Sequence, residues 1–224
     1  MTSSNAALES LLRHLRESGF LRMSRVHSAF RTVDRRFFVP KELLDEAYGD
    51  YPLSIGYGAT ISQPTTVAFM LETLDVQPGQ KALDIGSGSG WTTALLAYLV
   101  GPKGKVMGLE IVPELVGTGQ ANIENLYSVI LENNRTRIAP MSEIRQARRE
   151  VVGLPEEAPY DRILVSAAAR RVPKELIGQL KPDGVMIIPV GEEGKVQRIV
   201  RVHRKLDGEV ETEEYPGFAF VPLR

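Results

Sequence analysis

Apolar residues recur at helical spacing near the start of the chain. Leu8, Leu11, Leu12 and Leu15 form one stripe, and Val26, Phe30, Val33, Phe37 and Phe38 continue it in shorter pieces, so residues 6–50 are predicted helical. Pro40 opens a short piece over 42–47, Tyr48-Gly49-Asp50-Tyr51-Pro52 is a turn, and 54–62 is a glycine-rich extended stretch. Pro64 then starts a helix that runs through Leu74. Beyond Gly79 the period changes. Residues 81–85 predict a buried strand and 91–100 a helix without an internal breaker. Alternation continues with strand 105–110, a helix from Pro113, strand 162–166, helix 173–180 and strand 184–190. Strand and helix in series imply a doubly wound, mostly parallel α/β sheet. Residues 197–204, 209–214 and 218–221 are expected to be antiparallel strands closing one edge.

Composition narrows the function classes. The 224 residues are 43% hydrophobic and 25% charged, enough for one well-filled core, and 27 Lys plus Arg against 28 Asp plus Glu leave a net charge of −1. No bulk positive field is available, so neither nucleic acid nor membrane is an expected partner. Zero cysteines exclude disulfides, cysteine nucleophiles and thiolate metal sites, and a cytoplasmic monomer is expected. Neither a signal peptide nor an 18-residue apolar run is visible. His14, His27 and His203 do not pair at metal spacing, so no metal is predicted.

The chemistry concentrates at Asp84-Ile85-Gly86-Ser87-Gly88-Ser89-Gly90-Trp91, the junction of the first parallel strand and its helix. Ligands bind at that end of an open parallel sheet, and the helix start offers amide donors to a carboxylate or phosphate. The Gly-x-Gly-x-Gly spacing lacks the third glycine of the dinucleotide fingerprint, which argues against NAD. Glu110 ends the next strand, where an acid would meet ribose hydroxyls. This pattern resembles the S-adenosylmethionine (SAM) methyltransferases. Gly86, Ser87, Gly88, Ser89, Gly90 and Glu110 would then hold the cofactor, with Asp84 toward its positive methionine end.

Further segments are similar to the protein-L-isoaspartate O-methyltransferase family. They are Phe30-Arg31-Thr32-Val33-Asp34-Arg35-Arg36-Phe37-Phe38-Val39-Pro40, Ala59-Thr60-Ile61-Ser62-Gln63-Pro64, Ala158-Pro159-Tyr160-Asp161-Arg162-Ile163, Ser166-Ala167-Ala168-Ala169 and Phe220-Val221-Pro222-Leu223. The resemblance runs from about Phe20 to the end. It implies methyl transfer from SAM to the α-carboxylate of L-isoaspartyl residues in damaged proteins and peptides, leaving S-adenosyl-L-homocysteine and requiring no metal. It places Ser62 at the reacting carboxylate, with Thr60, Ile61, Val165 and Val221 framing the substrate. It also implies one domain made of an N-terminal segment with the substrate loop (1–63), a SAM-binding core (64–190) and closing strands (191–224). A SAM methyltransferase of another acceptor, or a binding protein of this fold with reduced cofactor affinity, are the alternatives. Ser62 is also placed to cap the helix that Pro64 opens.

The sequence departs from the family between Glu110 and Asp161, where the span is longer and the Gly-Asp-Gly expected at the adenine is missing. Either 128–131 is a strand followed by Glu132-Asn133-Asn134 in place of that motif, or the helix from Pro113 runs to Leu131 and 136–139 is the strand. Val116, Ile123, Tyr127 and Ile130 share a helical face and favour the second arrangement, although Gly117 and Gly119 weaken a helix; adenine contacts would then come from Met141, Ser142 or Glu143. A Ser142 cap and a Gly153 stop predict a helix over 142–152, with Arg145, Arg148 and Arg149 on one face, either solvated or binding an anion or a partner.

Overall fold

In the computed structural model, which describes residues 3–132 and 142–223, the chain opens with α1 (Ser3–Glu17) and α2 (Ser24–Thr32), then 3-10 turns at Arg35–Phe38 and Lys41–Glu46. All four leucines of the first stripe are buried. The glycine-rich stretch is a hairpin of β1 (Leu53–Gly56) and β2 (Ala59–Ile61), and α3 (Pro64–Leu74) starts on its proline. The alternating part follows as β3 (Lys81–Ile85), α4 (Trp91–Val100), β4 (Lys105–Glu110), α5 (Pro113–Glu132), β5 (Ser142–Gln146), β6 (Tyr160–Val165), α6 (Lys174–Gly178) and β7 (Leu180–Val190). β8 (Gln197–Arg204) and β9 (Val210–Phe218) complete it. No helix among the described residues is long and apolar enough to cross a membrane.

The seven-stranded sheet has the order β5-β4-β3-β6-β7-β8-β9. β5 to β7 are parallel, while β8 and β9 add antiparallel. Side chains alternate between its faces: Ala82, Val106 and Leu164 join the core under α1 to α5, and Leu83, Met107 and Ile163 join the one under α6. The connections from β3 and from β6 diverge to opposite sides, so the carboxyl ends of these adjacent strands form the switch point of the sheet.

Three expectations are corrected. Residues 142–152 do not form a helix: 142–146 are β5, paired in register with Val106 to Glu110, and Ile144 alone of the five is buried. Edge pairing with β4 overrides the cap-and-stop signal, because a place beside a buried strand contributes more than local preference. Arg145, Arg148 and Arg149 therefore share no helical face; Arg145 pairs with Glu143 and Glu157, and Arg148 with Glu156. Residues 218–221 are not a separate strand, since Phe218 ends β9 and only Pro222 bridges onward, to Ala168. Residues 128–131 lie inside α5, so the long-helix arrangement holds up to Glu132; the strand expected at 136–139 and Met141 fall outside the described residues. Gly119 within α5 is explained by close approach, because a Cβ there would lie 2.8 Å from the Gly88 carbonyl oxygen and one on Gly90 would lie 2.7 Å from that of Gly119.

Candidate active site

A cleft of about 120 Å³, open at its mouth, lies over the ends of β3, β4 and β6. The glycine loop forms its floor, and most of that loop's own amides are spent on holding its shape. Gly86 and Ser87 donate to the Leu109 carbonyl (2.8 and 3.0 Å), Gly88 to Glu110 Oε2 (2.8 Å) and Gly90 to the Ser87 carbonyl (2.8 Å). The amides of Ser89, Trp91 and Thr92 make no hydrogen bond among the described residues, and all three residues line the cleft. The free donors of this floor therefore sit at the first turn of α4, where the helix dipole also favours an anion. Glu110, 6% exposed, is the only charged residue lining the cleft among the described residues, and Val112 N–H donates to its Oε1 at 2.9 Å.

Asp84 stands behind this floor. Alternation along β3 turns its side chain toward α4, where Oδ2 accepts from the hydroxyls of Thr92 (2.7 Å) and Thr93 (2.6 Å) and Oδ1 is buried without a partner. Thr92 rather than Asp84 lines the cleft. Burial pushes the Asp84 carboxyl up to about 6, against the two threonine hydroxyls and with help from the charge of Glu110. A carboxyl whose folded pKa exceeds its unfolded value of 3.8 holds its proton more tightly when folded, so its contribution to stability is full below about pH 4 and is lost as the pH rises through about 6. Asp84→Asn is accordingly expected to raise the melting temperature by a few degrees at about pH 8, with the gain vanishing near pH 4. Scanning calorimetry across that range checks it, and a gain independent of pH would assign the effect to something other than this charge.

The walls come from distant parts of the chain. Thr60, Ile61 and Ser62 bring β2 to the cleft, and Val221, Pro222 and Leu223 line it as well. Ser62 does not cap α3: Asp50 does, accepting from Thr65 N (2.8 Å) and Thr65 Oγ1 (2.6 Å). The Ser62 hydroxyl makes no hydrogen bond among the described residues, and its carbonyl accepts from buried Arg35 at 3.1 Å. The far wall is fixed by Gln197, whose amide accepts from Phe220 N (2.7 Å) and donates to Phe220 O (3.2 Å), and by Ala168, which exchanges hydrogen bonds with Val221 O and Leu223 N, both 2.8 Å. Val165 corrects an expectation. Its side chain is fully buried in the core under α6, and Ser166 and Ala167 line the cleft at the end of β6 instead. Trp91 is structural, 2% exposed, with its ring N–H donating to Val33 O at 3.2 Å and its face edge-on to Phe30.

The residues fit a sulfonium nucleoside on two independent grounds. Ser87 Oγ is buried in the cleft floor without a partner, and two carboxylates, Glu110 and the half-partnered Asp84, bias the floor toward a cation. A doubly wound sheet with this floor and a strand-end carboxylate defines a SAM-dependent methyltransferase. The profile of the protein-L-isoaspartate(D-aspartate) O-methyltransferase family matches residues 6–224, and the chain belongs to that family. It is similar to the protein-L-isoaspartate O-methyltransferase of Methanopyrus kandleri, with 42% identity over 97% of this chain and 91% of that one. Identity to the wheat (Triticum aestivum) enzyme of that name is 38%, over 96% and 90%. The solved protein-L-isoaspartate O-methyltransferase of Plasmodium falciparum, in complex with S-adenosyl-L-homocysteine, superposes with a TM-score of 0.82 at 29% identity, covering 96% of this chain and 97% of that one.

Proposed function

We propose that this protein transfers a methyl group from SAM to the free α-carboxylate of L-isoaspartyl residues in damaged proteins and peptides. The observation that carries the assignment is that the glycine loop and Ser62, whose hydroxyl makes no hydrogen bond among the described residues, line one cleft with a floor that suits a sulfonium. When bound, SAM supplies an already activated methyl group, which leaves a neutral thioether as the carboxylate oxygen takes the carbon. The acceptor carboxylate is ionised at neutral pH, so the chain needs no general base. Its work is placement. The free amides of Ser89, Trp91 and Thr92 take the cofactor's carboxylate and Glu110 its ribose, while Ile111, Val112 and Ala147 line the rest of the seat. Ser62 donates its hydroxyl to the substrate carboxylate oxygen that does not react, and Thr60, Ile61 and Val221 hold the peptide against it. Bringing the two reactants into line can contribute roughly 7–11 kcal/mol, enough for a site without acid–base residues. The methyl ester then closes to a succinimide, whose hydrolysis returns part of the residue to aspartate.

Transfer of labelled methyl from SAM to an isoaspartyl peptide, beside its aspartyl twin, tests the assignment. Label in the isoaspartyl peptide alone is expected; cofactor binding without such transfer would assign another acceptor, and no binding of either cofactor form would leave only a binding protein. Ser62→Ala is expected to lower kcat about 100-fold, the scale of a misaligned acceptor, with little change in calorimetric affinity for S-adenosylhomocysteine. Equal losses in both would make Ser62 a scaffold residue.

A further inference from the structure

Tyr57 and Gly58 form the two-residue loop between β1 and β2. Gly56 pairs with Ala59 across it, and both loop residues have positive φ, 55° and 72°. Hairpin loops of this type favour asparagine, aspartate or glycine at the first place, where a bulky side chain is strained. Tyr57 therefore costs stability, and the fold gains nothing visible in return. Tyr57 is 59% exposed, and its ring makes no hydrogen bond, ion pair or ring contact among the described residues.

Yet Tyr57 lines the mouth of the cleft, on a hairpin set over the glycine loop, where Ile55 Cδ1 lies 3.1 Å from the place of a Cβ on Gly88. The other exposed large apolar residue lining the same cleft is Val221, 38% exposed and held in place by the Gln197 clamp on Phe220. Glu110 lies in the floor, so neither lip carries a charge. Backbone strain that the surrounding packing does not explain marks functional positions. An exposed aromatic and an exposed aliphatic side chain lining one peptide cleft complement an apolar side chain.

Building on the isoaspartyl assignment above, we infer that Tyr57 is a specificity-determining residue. Its ring packs against the side chain of a residue flanking the isoaspartate, with Val221 as the second exposed apolar contact of the cleft, so the protein prefers substrates with an aromatic or aliphatic residue on that flank. The test is a panel of equal-length isoaspartyl peptides carrying Phe, Leu, Gly or Asp at each flanking position. On one flank, KM for Phe and Leu is expected to be about tenfold below that for Gly, with Asp poorest, a difference typical of one apolar contact. Tyr57→Asn should shrink the preference to less than about twofold, Tyr57→Phe should keep it, and Tyr57→Asn should melt no lower than the parent because asparagine suits the turn. Each of these outcomes in the variant overturns the inference: a preference that survives Tyr57→Asn, a matching loss of calorimetric affinity for S-adenosylhomocysteine, which would make the ring a cofactor cover, or a lowered melting temperature in Tyr57→Asn, which would give the ring a structural role. Turnover of the whole panel without flank preference defeats this inference alone, whereas no turnover of any isoaspartyl peptide defeats the substrate assignment with it.

Discussion

Arg35→Met is expected to melt about 10 °C below the parent and to lose most of its turnover. Arg35 is 2% exposed, and its guanidinium donates to five carbonyls: Ala47 (2.9 Å), Gly49 (3.2 Å), Tyr51 (3.1 Å), Ile61 (3.5 Å) and Ser62 (3.1 Å). Its carbon lies 5.4 Å from the centroid of Trp91. Burial pulls its pKa down to about 10, partly offset by the charge of Asp50, which leaves it a cation at neutral pH. Methionine removes the cost of desolvating that charge but orphans several carbonyls at about 1–3 kcal/mol each, so a net loss of ~3–5 kcal/mol is expected. At roughly 2–4 °C per kcal/mol this gives the stated shift. The same change releases the carbonyls of Ile61 and Ser62, the residues that bring β2 to the acceptor. Arg35→Lys should recover little, because one ammonium cannot span a fork of acceptors on two loops. Thermal melts and turnover check this; a methionine variant melting within about 2 °C of the parent would show that the carbonyls find other partners.

Gly88→Val is expected to abolish measurable cofactor binding while leaving most of the fold in place. Gly88 has φ +51°, a conformation that L side chains adopt at a cost, and its new Cβ would lie 3.1 Å from Ile55 Cδ1. A branched side chain there either fills the cleft or pushes the hairpin away. Calorimetry with S-adenosylhomocysteine should show at least about a 100-fold loss, near 3 kcal/mol, beside only a small fall in melting temperature. Unchanged affinity in a folded variant would mean that the cofactor seat lies elsewhere.

What the sequence made legible follows from signals that are local. α3 starts on Pro64, and the alternation of β3, α4 and β4 is carried by uninterrupted apolar runs, so each element and the loop between them could be placed from a dozen residues. β5 could not, because a short edge strand with only Ile144 buried lacks strong alternation, and its identity comes from β4 alongside it. The family resemblance places Val165 at the cleft wall, but a strand alternates faces at every residue, so a shift of one position turns a lining side chain into a core one. Arg35 was invisible for another reason. It sits beside Arg36, which pairs with Asp34 at the surface, and nothing in the pair tells which guanidinium is buried. Asp50 and Gln197 act across 15 and 23 residues of chain, at separations no local pattern encodes.

The hydroxyl of Tyr127 meets Ser142 Oγ, joining the last turns of α5 to the first residue of β5. The Gln120 amide accepts from Ile144 N at 3.1 Å and braces the same junction. Helix and strand are thus tied together twice, so this edge strand is held from the helix side as well as by its pairing with β4. Whatever reaches the sheet edge from Ala147 onward therefore starts from a strand braced on two sides.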